Sequence, residues 1–320
     1  MIRMENVSFT YENADNGAAI LDNSILISKG EIVLLCGESG SGKTTFSRLI
    51  NGLIPNYYEG TLVGKIQVED KNPEEVELYE LAPYVGSVFQ NPKAQFYTLI
   101  TDTEIVFACE NMGMDRREIL RRFDATVTAM HLEPLIGRNL FTLSGGEKQK
   151  IACASVHALL PDVLVLDEPT SNLDIGTIHE LENILRLWKE QEKTVIVAEH
   201  RLDWLRLLAD RVLYFKDGKI EQEFTGAAFF KKPLGDLHAM GLRGTSRFVP
   251  QRVKNSRAKE VLELRDFCFT VKKKNLLHVE NLTIPKGAVV AVLGQNNIGP
   301  VFMWSGEENA RYFRFYGQGI

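Results

Sequence analysis

The sequence predicts an α/β protein with a parallel sheet at its core. Three short apolar runs, at residues 31–36, 163–166 and 194–198, have the length and composition of buried strands. The first two are each followed by a polar loop and a helical pattern, and strands connected through helices run parallel in one sheet. Two further strand patterns, Ile2 to Tyr11 and Ile20 to Ile27, come first and give the chain a β-rich opening.

Composition limits the classes of protein that the chain can represent. Its 320 residues suggest about two domains. A net charge of −5 is too small to favour nucleic acid or anionic lipid as a partner. No apolar run reaches membrane-spanning length, and the first residues carry no signal-peptide pattern. The four cysteines lack C-x-x-C spacing, which favours buried free thiols in a reducing cytoplasm over disulfides or a zinc site.

A glycine-rich loop follows the first buried strand and precedes a helical pattern. It comprises Gly37, Glu38, Ser39, Gly40, Ser41, Gly42, Lys43, Thr44 and Thr45. The glycines let successive N–H groups turn toward a phosphate, and Lys43 and Thr44 suit phosphate oxygens and Mg²⁺. The alternative is a glycine-rich turn that enters a helix by chance. The strand before the loop and the helix after it favour a site for a nucleoside triphosphate.

Polar residues stand at the ends of three other strand patterns. Gln90 follows a strand at 85–89, where loop side chains can reach a ligand. Asp167 and Glu168 follow the second buried strand, where one acid can hold Mg²⁺ and the next can polarise an attacking water. His200 follows the third buried strand. A histidine there is more often structural, but its position after the acid pair favours a place beside the phosphates.

Two features have both a functional and a structural interpretation. Ser144, Gly145 and Gly146 open a helical pattern, and such residues can bind an anion or simply cap the helix. Tyr11 lies near the first turn and could stack on a base, although an aromatic residue in a strand more often packs in a core or on a sheet surface.

These motifs, in this order, resemble those of the ATP-binding cassette (ABC) ATPases. The matching segments are residues 37–45 for the Walker A loop, Gln90 for the Q-loop, Leu-Ser-Gly-Gly-Glu at 143–147 for the signature, 163–168 for Walker B with its glutamate, 171–174 for the D-loop, His200 for the switch histidine and Tyr11 for the adenine-stacking aromatic. They cover residues 1 to about 225.

The resemblance implies a P-loop NTPase fold with a RecA-like core, an antiparallel β subdomain and an α-helical subdomain at about 91–143, where a helical pattern runs from Thr103 to Met130. It implies ATP and Mg²⁺ as ligands, and a head-to-tail pair of cassettes. The implied site residues are Glu168, His200 and Gln90 for catalysis, Tyr11, residues 37–45 and Ser144, Gly145 and Gly146 for ATP, and Thr44, Gln90 and Asp167 for the metal.

Two short strings narrow the resemblance. Phe-Gln-Asn-Pro at 89–92 and Ala-Glu-His-Arg-Leu at 198–202 look like the ATPases of energy-coupling-factor transporters, which import vitamins and metal ions. This implies a peripheral subunit at the cytoplasmic face of the cell membrane, with a transmembrane partner and a second cassette, either a copy of this chain or a paralogue. The alternatives are a soluble ABC ATPase that acts on ribosomes and an inert product. The solute is not specified, because in this family another subunit selects it.

The sequence further predicts a cassette at 1–228, a linker at 229–260 and the start of a second cassette at 261–320. Residues 261–270 repeat the pattern of Ile2 to Thr10, and an internal repeat indicates a tandem protein. The basic stretch between the repeats is typical of a solvated connector rather than a nucleic-acid site.

The repeat departs from the pattern at its own nucleotide loop. Pro300 and Val301 stand where Lys43 and Thr44 would, so a charge, an N–H and a hydroxyl are missing, and Val271 stands where Tyr11 does. We therefore expect a tandem ATPase interrupted near residue 300, in which the second part is poorly packed or docked on the first. The first cassette should fold alone and bind ATP, with turnover only when another chain supplies a signature.

Overall fold

The computed structural model describes residues 1–12, 17, 19–171, 173–244, 260–271, 274–285, 301–303 and 314–316. The chain forms two compact units, Met1–Arg247 and Phe248–Ile320. In chain order the first unit contains β1 (Ile2–Tyr11), β2 (Ile20–Ile27), β3 (Ile32–Gly37), α1 (Lys43–Ile50), α2 (Leu53–Asn56), β4 (Gly60–Val68), α3 (Leu78–Leu81), β5 (Val85–Val88), α4 (Thr101–Asn111), α5 (Arg116–Met130), α6 (Gly145–Ala158), β6 (Val163–Asp167), α7 (Ile175–Glu190), β7 (Thr194–Ala198), β8 (Arg211–Lys216), β9 (Lys219–Thr225), α8 (Gly226–Phe229) and α9 (Leu234–Ala239).

The larger sheet confirms the predicted α/β class. Its order is β5-β6-β7-β3-β8-β9, and all neighbours are parallel except β8 and β9. Strands β3 and β7 are buried along their whole length, as apolar strands covered by helices on both faces must be. The carboxyl ends of β3, β6 and β7 meet at one edge, which is where an open α/β sheet binds ligands.

The predicted antiparallel β subdomain and helical subdomain are both present. The former is the sheet β2-β1-β4, whose buried side chains share a core with Phe46 and Leu49 of α1. In the helical part the pattern predicted from Thr103 to Met130 is two helices, because Gly113 adopts a positive φ and the Asp115 side chain caps α5. Among the described residues, no helix has both the length and the apolar composition to cross a membrane.

The first unit extends beyond the boundary predicted at residue 228. Leu237 of α9 is 1% exposed, and Phe230 and Leu242 are also buried in the main core. The hydroxyl of Tyr214 on β8 donates a hydrogen bond to the carbonyl of Met240 at 2.9 Å. Residues 229–242, which were predicted to belong to the linker, are therefore part of the first unit, since their apolar side chains pack on its core.

The second unit contains a hairpin that reproduces the opening of the first. Its described strands are β10 (Glu260–Val271), β11 (Lys274–Pro285), β12 (Val301–Met303) and β13 (Arg314–Tyr316). Leu262 pairs with Ile284 and Phe269 with Leu277, as Ile2 pairs with Ile27 and Phe9 with Ile20. Asp266 has φ 45°, and Asn6 at the equivalent place has φ 50°. Residues 286–300, with the predicted break at Pro300, lie outside the described residues, and Val301 begins β12.

The four cysteines are free, and three of them are buried. Burial raises the pKa of both Cys36 and Cys153 to about 12, so these thiols stay protonated. Cys109 is also buried, and its pKa is raised for the same reason. Cys268 on β10 is exposed, so the prediction of buried thiols is wrong for this residue, which lies in a hairpin rather than in the main core.

A buried histidine makes the stability of the first unit depend on pH. His157 Nδ1 accepts a hydrogen bond from Trp188 Nε1 at 3.0 Å, and burial, with a smaller effect of Lys193, lowers the pKa of His157 from 6.5 to about 4. Protonation therefore favours the unfolded chain as the pH falls from 6.5 toward 4. We expect this group to remove about 2 kcal/mol of unfolding free energy between pH 7 and pH 5. Urea titrations of the wild type and of His157→Gln would measure this effect. The difference in unfolding free energy between the two proteins should shrink at low pH, and an equal loss of unfolding free energy in both would contradict the assignment.

Candidate active site

Residues from four separated segments line one cleft at the carboxyl edge of the larger sheet. The cleft has a volume of about 160 Å³ and is lined by Ala19, Ser39, Gly40, Gly42, Lys43, Thr44, Thr45, Glu168 and His200. A neighbouring cavity of about 210 Å³ shares two of these residues and is lined by Glu38, Ser39, His200, Gly241, Leu242 and Arg243. The structure thus brings together the glycine-rich loop, the second acid and the histidine that the sequence singles out.

The glycine-rich loop delivers the N-terminus of α1 to this cleft. Gly37 is the last residue of β3, and Gly42 precedes α1 with φ 106°, a conformation that L side chains rarely adopt. A Cβ at Gly42 would also lie 2.8 Å from the carbonyl oxygen of Ala19. No side chain caps α1, so its first N–H groups and its dipole are available to an anion.

Lys43 lies inside the curve of the loop and is 5% exposed. Its ammonium group donates to the carbonyls of Gly37 at 2.9 Å and Glu38 at 2.8 Å, and to Ser41 Oγ at 3.4 Å. Burial lowers the pKa of Lys43, while the charge of Glu168 raises it. The bond to Ser41 is the longest of the three, so it is the easiest for a phosphate oxygen to replace.

Two oxygen ligands suitable for Mg²⁺ converge beside the loop. Thr44 Oγ1 donates a hydrogen bond to Asp167 Oδ1 at 3.2 Å, which joins the start of α1 to the end of β6. Burial raises the pKa of Asp167, and the neighbouring charge of Glu168 raises it further. A divalent cation would favour the ionised carboxylate, and Mg²⁺ prefers hard oxygen ligands such as this pair. The residues present therefore fit the metal that the sequence predicts.

Glu168 lies between the two other predicted catalytic residues and contacts both. Gln90 Nε2 donates to Glu168 Oε2 at 2.8 Å, and His200 Nε2 lies 3.3 Å from Glu168 Oε1. The backbone of Glu168 has φ 44°, and its N–H donates to the carbonyl of Ala198 at 2.8 Å. Such a conformation is unfavourable for glutamate and persists where the surroundings fix it, often at functional sites. The predicted contact of Gln90 with the metal stays a prediction.

Tyr11 is held by protein contacts next to the loop. Its hydroxyl lies 3.1 Å from Thr45 Oγ1 and accepts a hydrogen bond from Arg48 at 3.0 Å. The edge of its ring packs against Phe9, and Tyr58 lies on another side, at centroid distances of 4.8 and 6.1 Å. These contacts match the structural interpretation of an aromatic residue in a strand, and the adenine-stacking role stays a prediction.

Ser144, Gly145 and Gly146 do not line the cleft at Lys43. Ser144 caps α6: its Oγ accepts from the N–H of Glu147 at 3.2 Å, and the Glu147 carboxylate accepts from the N–H of Ser144 at 2.7 Å. Gly146 approaches α7 so closely that a Cβ there would lie 2.5 Å from Thr177 Oγ1. Both interpretations of this segment, as a cap and as an anion site, remain compatible with this geometry.

The sequence analysis assigned no role to three residues that the structure places at the site. Ala19 lines the cleft, Arg48 holds Tyr11, and Glu199 is 2% exposed immediately before His200. Only Glu199 carried a usable signal, since a charged residue that directly follows a wholly apolar strand needs buried partners. Ala19 and Arg48 depend on contacts between distant segments, which a local pattern does not report.

Comparison with known proteins identifies the relationship. The family model described as ABC transporter matches residues 21–171. A protein of Pyrococcus horikoshii is 36% identical over 294 residues, with 92% of this chain and 96% of that protein covered. A protein of Treponema denticola is 39% identical over 307 residues, with 93% of this chain covered. Both are named as ABC transporter ATP-binding proteins, and this chain spans 63% of the length of the Treponema relative.

Solved structures show the same architecture. CbiO1 of Clostridium perfringens, described as part of the ABC transporter complex cbiONQ, has a TM-score of 0.65 and 26% identity, with 74% of this chain and 94% of that chain covered. The ATP-binding cassette MJ0796, solved as a dimer bound to ADP and Pi, has a TM-score of 0.60 and 28% identity, with 70% and 98% covered. With the glycine-rich loop, Glu168 and His200 already joined in one cleft, these relationships establish that the chain belongs to the ABC transporter family of ATP-binding cassette ATPases.

Proposed function

We propose that this chain hydrolyses ATP to drive a membrane importer of the energy-coupling-factor type. The observation that carries the proposal is the position of Glu168, bonded to Gln90 at 2.8 Å and 3.3 Å from His200 beside a cleft lined by Lys43 and Thr44. A carboxylate held in this way can orient a water molecule toward the terminal phosphate of ATP. The family relationship indicates that the nucleotide is ATP, and the geometry supports the roles of individual residues.

In the proposed mechanism the glycine-rich loop and Lys43 bind the β- and γ-phosphates through N–H groups and one positive charge. Thr44 and Asp167 would hold Mg²⁺, which neutralises charge on the phosphate oxygens when bound. Glu168 accepts a hydrogen bond from the attacking water and takes its proton as the new oxygen–phosphorus bond forms, while the bond from the γ-phosphorus to the β–γ bridging oxygen breaks and ADP leaves with that oxygen. His200 contacts the γ-phosphate and limits the movement of Glu168, and Gln90 links that carboxylate to the helical subdomain. Most of the rate enhancement then comes from positioning and charge stabilisation.

A second cassette completes the proposed site. The Ser144 hydroxyl and the N-terminal dipole of α6 lie outside the cleft at Lys43. These groups suit the γ-phosphate bound by another cassette, in a head-to-tail pair of two copies or of paralogues. The dimeric MJ0796 structure, with ADP and Pi bound, supports the pairing by analogy.

The repeated hairpin supports a tandem origin for the second unit. Strands β10 and β11 pair in the register of β1 and β2 and share the positive-φ position, which separate folding of an unrelated segment would not require. We therefore propose that the second unit contains the start of another cassette. The interruption near residue 300 stays a prediction, and sequencing of the locus on both sides of it is the direct test.

The importer class rests on two short strings and one structural neighbour. The strings at 89–92 and 198–202 contain Gln90 and His200, and CbiO1 belongs to a transporter complex. On this basis we place the chain at the cytoplasmic face of the cell membrane, attached through a transmembrane subunit. We propose that the importer takes up a vitamin or a metal ion.

An exposed apolar patch on the helical subdomain suits that transmembrane partner. Tyr97, Leu99 and Phe141 are 77%, 59% and 75% exposed. Their segments are adjacent, because the N–H of Leu140, next to Phe141, donates to the carbonyl of Leu99 at 2.9 Å, and Tyr97 is two residues before Leu99. Exposed aromatic and aliphatic side chains that cluster in this way mark interaction sites. Tyr97 and Leu99 follow Gln90 closely in the chain, so a partner docked on them would contact the segment that follows the residue bonded to Glu168.

Membrane fractionation tests the partner. We expect the triple variant Tyr97→Ser, Leu99→Ser, Phe141→Ser to lower the membrane-bound fraction of the full chain by at least about tenfold, since three apolar anchors are lost. ATP binding should not change, because none of the three lines the cleft. Tyr79→Ser with Leu207→Ser, which are 69% and 75% exposed elsewhere, is the matched control. Sedimentation of the wild type with ribosomes instead of membranes would favour the ribosome-acting alternative.

A further inference from the structure

One buried carboxylate outside the cleft joins the two loops that carry the proposed catalytic residues. Glu199 follows β7 and is 2% exposed. Its Oε1 accepts from the N–H groups of His200 at 2.7 Å and Arg201 at 3.0 Å. Its Oε2 accepts from the hydroxyl of Thr170 at 2.6 Å and from the N–H of Thr170 at 3.3 Å. Every bond ends on one of two loops, the one after β6 and the one after β7.

These loops hold Glu168 and His200. Thr170 is two residues after Glu168, and His200 is the next residue after Glu199. Two further bonds tie the loops together: the N–H of Glu168 donates to the carbonyl of Ala198 at 2.8 Å, and Arg201 donates to the carbonyl of Leu173 at 3.0 Å. The Glu199 carboxylate lies at the centre of this arrangement, so the loops move as one body while it is bonded to both.

Fold stability alone is a weak reason to bury this carboxylate. Removing a charged group from water costs several kcal/mol, and well-packed apolar residues often replace such groups without loss of stability. Positioning is a stronger reason, because a 1 Å displacement of a catalytic group can cost on the order of a hundredfold in rate. Glu168 needs such support, since its φ of 44° is unfavourable for a residue with a side chain.

We propose that Glu199 is a positioning residue that holds the carboxylate of Glu168 and the imidazole of His200 at their mutual distance. Because it acts through those two residues, the assignment rests on the function proposed above. Glu199 touches neither the cleft nor the nucleotide. Loss of the Glu199 carboxylate should therefore lower the turnover of ATP while leaving the affinity for ATP nearly unchanged.

Glu199→Gln tests the assignment with little change in size. A carboxamide has one accepting oxygen, so at least one backbone N–H of Thr170, His200 or Arg201 loses its acceptor. We expect kcat for ATP to fall by about tenfold to a hundredfold, with the KM for ATP and the Kd for a fluorescent ATP analogue within about threefold of the wild type. Thr170→Val, which removes only the hydroxyl, should shift kcat in the same direction by less.

Glu69→Gln is the matched control, because Glu69 is also a buried carboxylate with both oxygens engaged, by the N-terminal amine and Lys29 in the β subdomain. It should lower stability without separating kcat from KM. Unchanged kcat in Glu199→Gln, or ATP affinity that falls in step with kcat, would overturn the assignment.

Amide hydrogen exchange provides a readout that does not need turnover. In Glu199→Gln the N–H groups of Thr170, His200 and Arg201 should exchange at least about tenfold faster, while those within β6 and β7 keep their protection. If the wild type failed to hydrolyse ATP, the proposed function would fail, and unchanged exchange at these three amides would separately refute the bracing role of Glu199.

Discussion

Glu168→Gln lowers the rate of ATP hydrolysis by about a hundredfold or more, while the chain still binds ATP with Mg²⁺. A positioned general base contributes about 10² to 10⁴ in rate, and an amide cannot take the proton of the attacking water. The amide can still accept from Gln90 and contact His200, so the local geometry should persist. Steady-state phosphate release and equilibrium binding of a fluorescent ATP analogue would measure the two effects separately.

Glu5→Gln serves as the control for this substitution, because Glu5 is half-buried on β1, does not line the cleft and forms an ion pair with Arg3. It should hydrolyse ATP at the wild-type rate. Turnover of Glu168→Gln within threefold of the wild type would show that another group orients the water. The acid pair at the end of β6 would then serve the metal alone.

Lys43→Ala lowers the affinity for ATP by about tenfold to a hundredfold. A charge-assisted hydrogen bond contributes about 1.5 to 3 kcal/mol, and each 1.4 kcal/mol corresponds to a factor of ten in Kd. The effect should appear in binding, because in the proposed mechanism Lys43 contacts the phosphates in the ground state as well as in the transition state. Titration with a fluorescent ATP analogue, on protein whose far-UV circular dichroism matches the wild type, would measure it.

The exposed lysine at position 65 on β4 provides the corresponding control. Lys65→Ala removes the same charge from the chain without touching the cleft, so its Kd for ATP should equal that of the wild type. An equal loss of affinity in both variants would point to a general charge effect and not to a specific contact. Wild-type affinity in Lys43→Ala would place the triphosphate elsewhere.

The sequence was sufficient for the central sheet and for most of the cleft because both rest on local patterns. Buried parallel strands appear as short apolar runs, and a glycine-rich loop between a strand and a helix fixes where α1 begins. Asp167 and His200 could be placed at one edge because the carboxyl ends of parallel strands meet there. The repeat at residue 261 was visible because its hairpin keeps the apolar alternation of β1.

The features that the sequence did not predict depend on partners far apart in the chain. Glu199 and Thr170 are separated by 29 positions, and no periodicity links them. The boundary at 228 was wrong because Leu237 and Leu242 lie in a basic, turn-rich stretch whose composition suggests a connector, although their side chains are buried. The place of Tyr11 in the order of motifs was clear from the sequence. Its hydroxyl contacts with Thr45 and Arg48 could be found only from the structure, because those residues are more than 30 positions away in the chain.

The distribution of the four thiols makes the chain suitable for spectroscopic labelling without engineering. Cys36, Cys109 and Cys153 are buried, and burial raises the pKa of each, whereas Cys268 is exposed on β10. A maleimide dye should therefore modify the native protein at one position, in the second unit. Trp188 and Trp204 belong to the first unit and Trp304 to the second, so in a Trp304→Phe variant energy transfer from tryptophan to that dye would report the distance between the two units in solution.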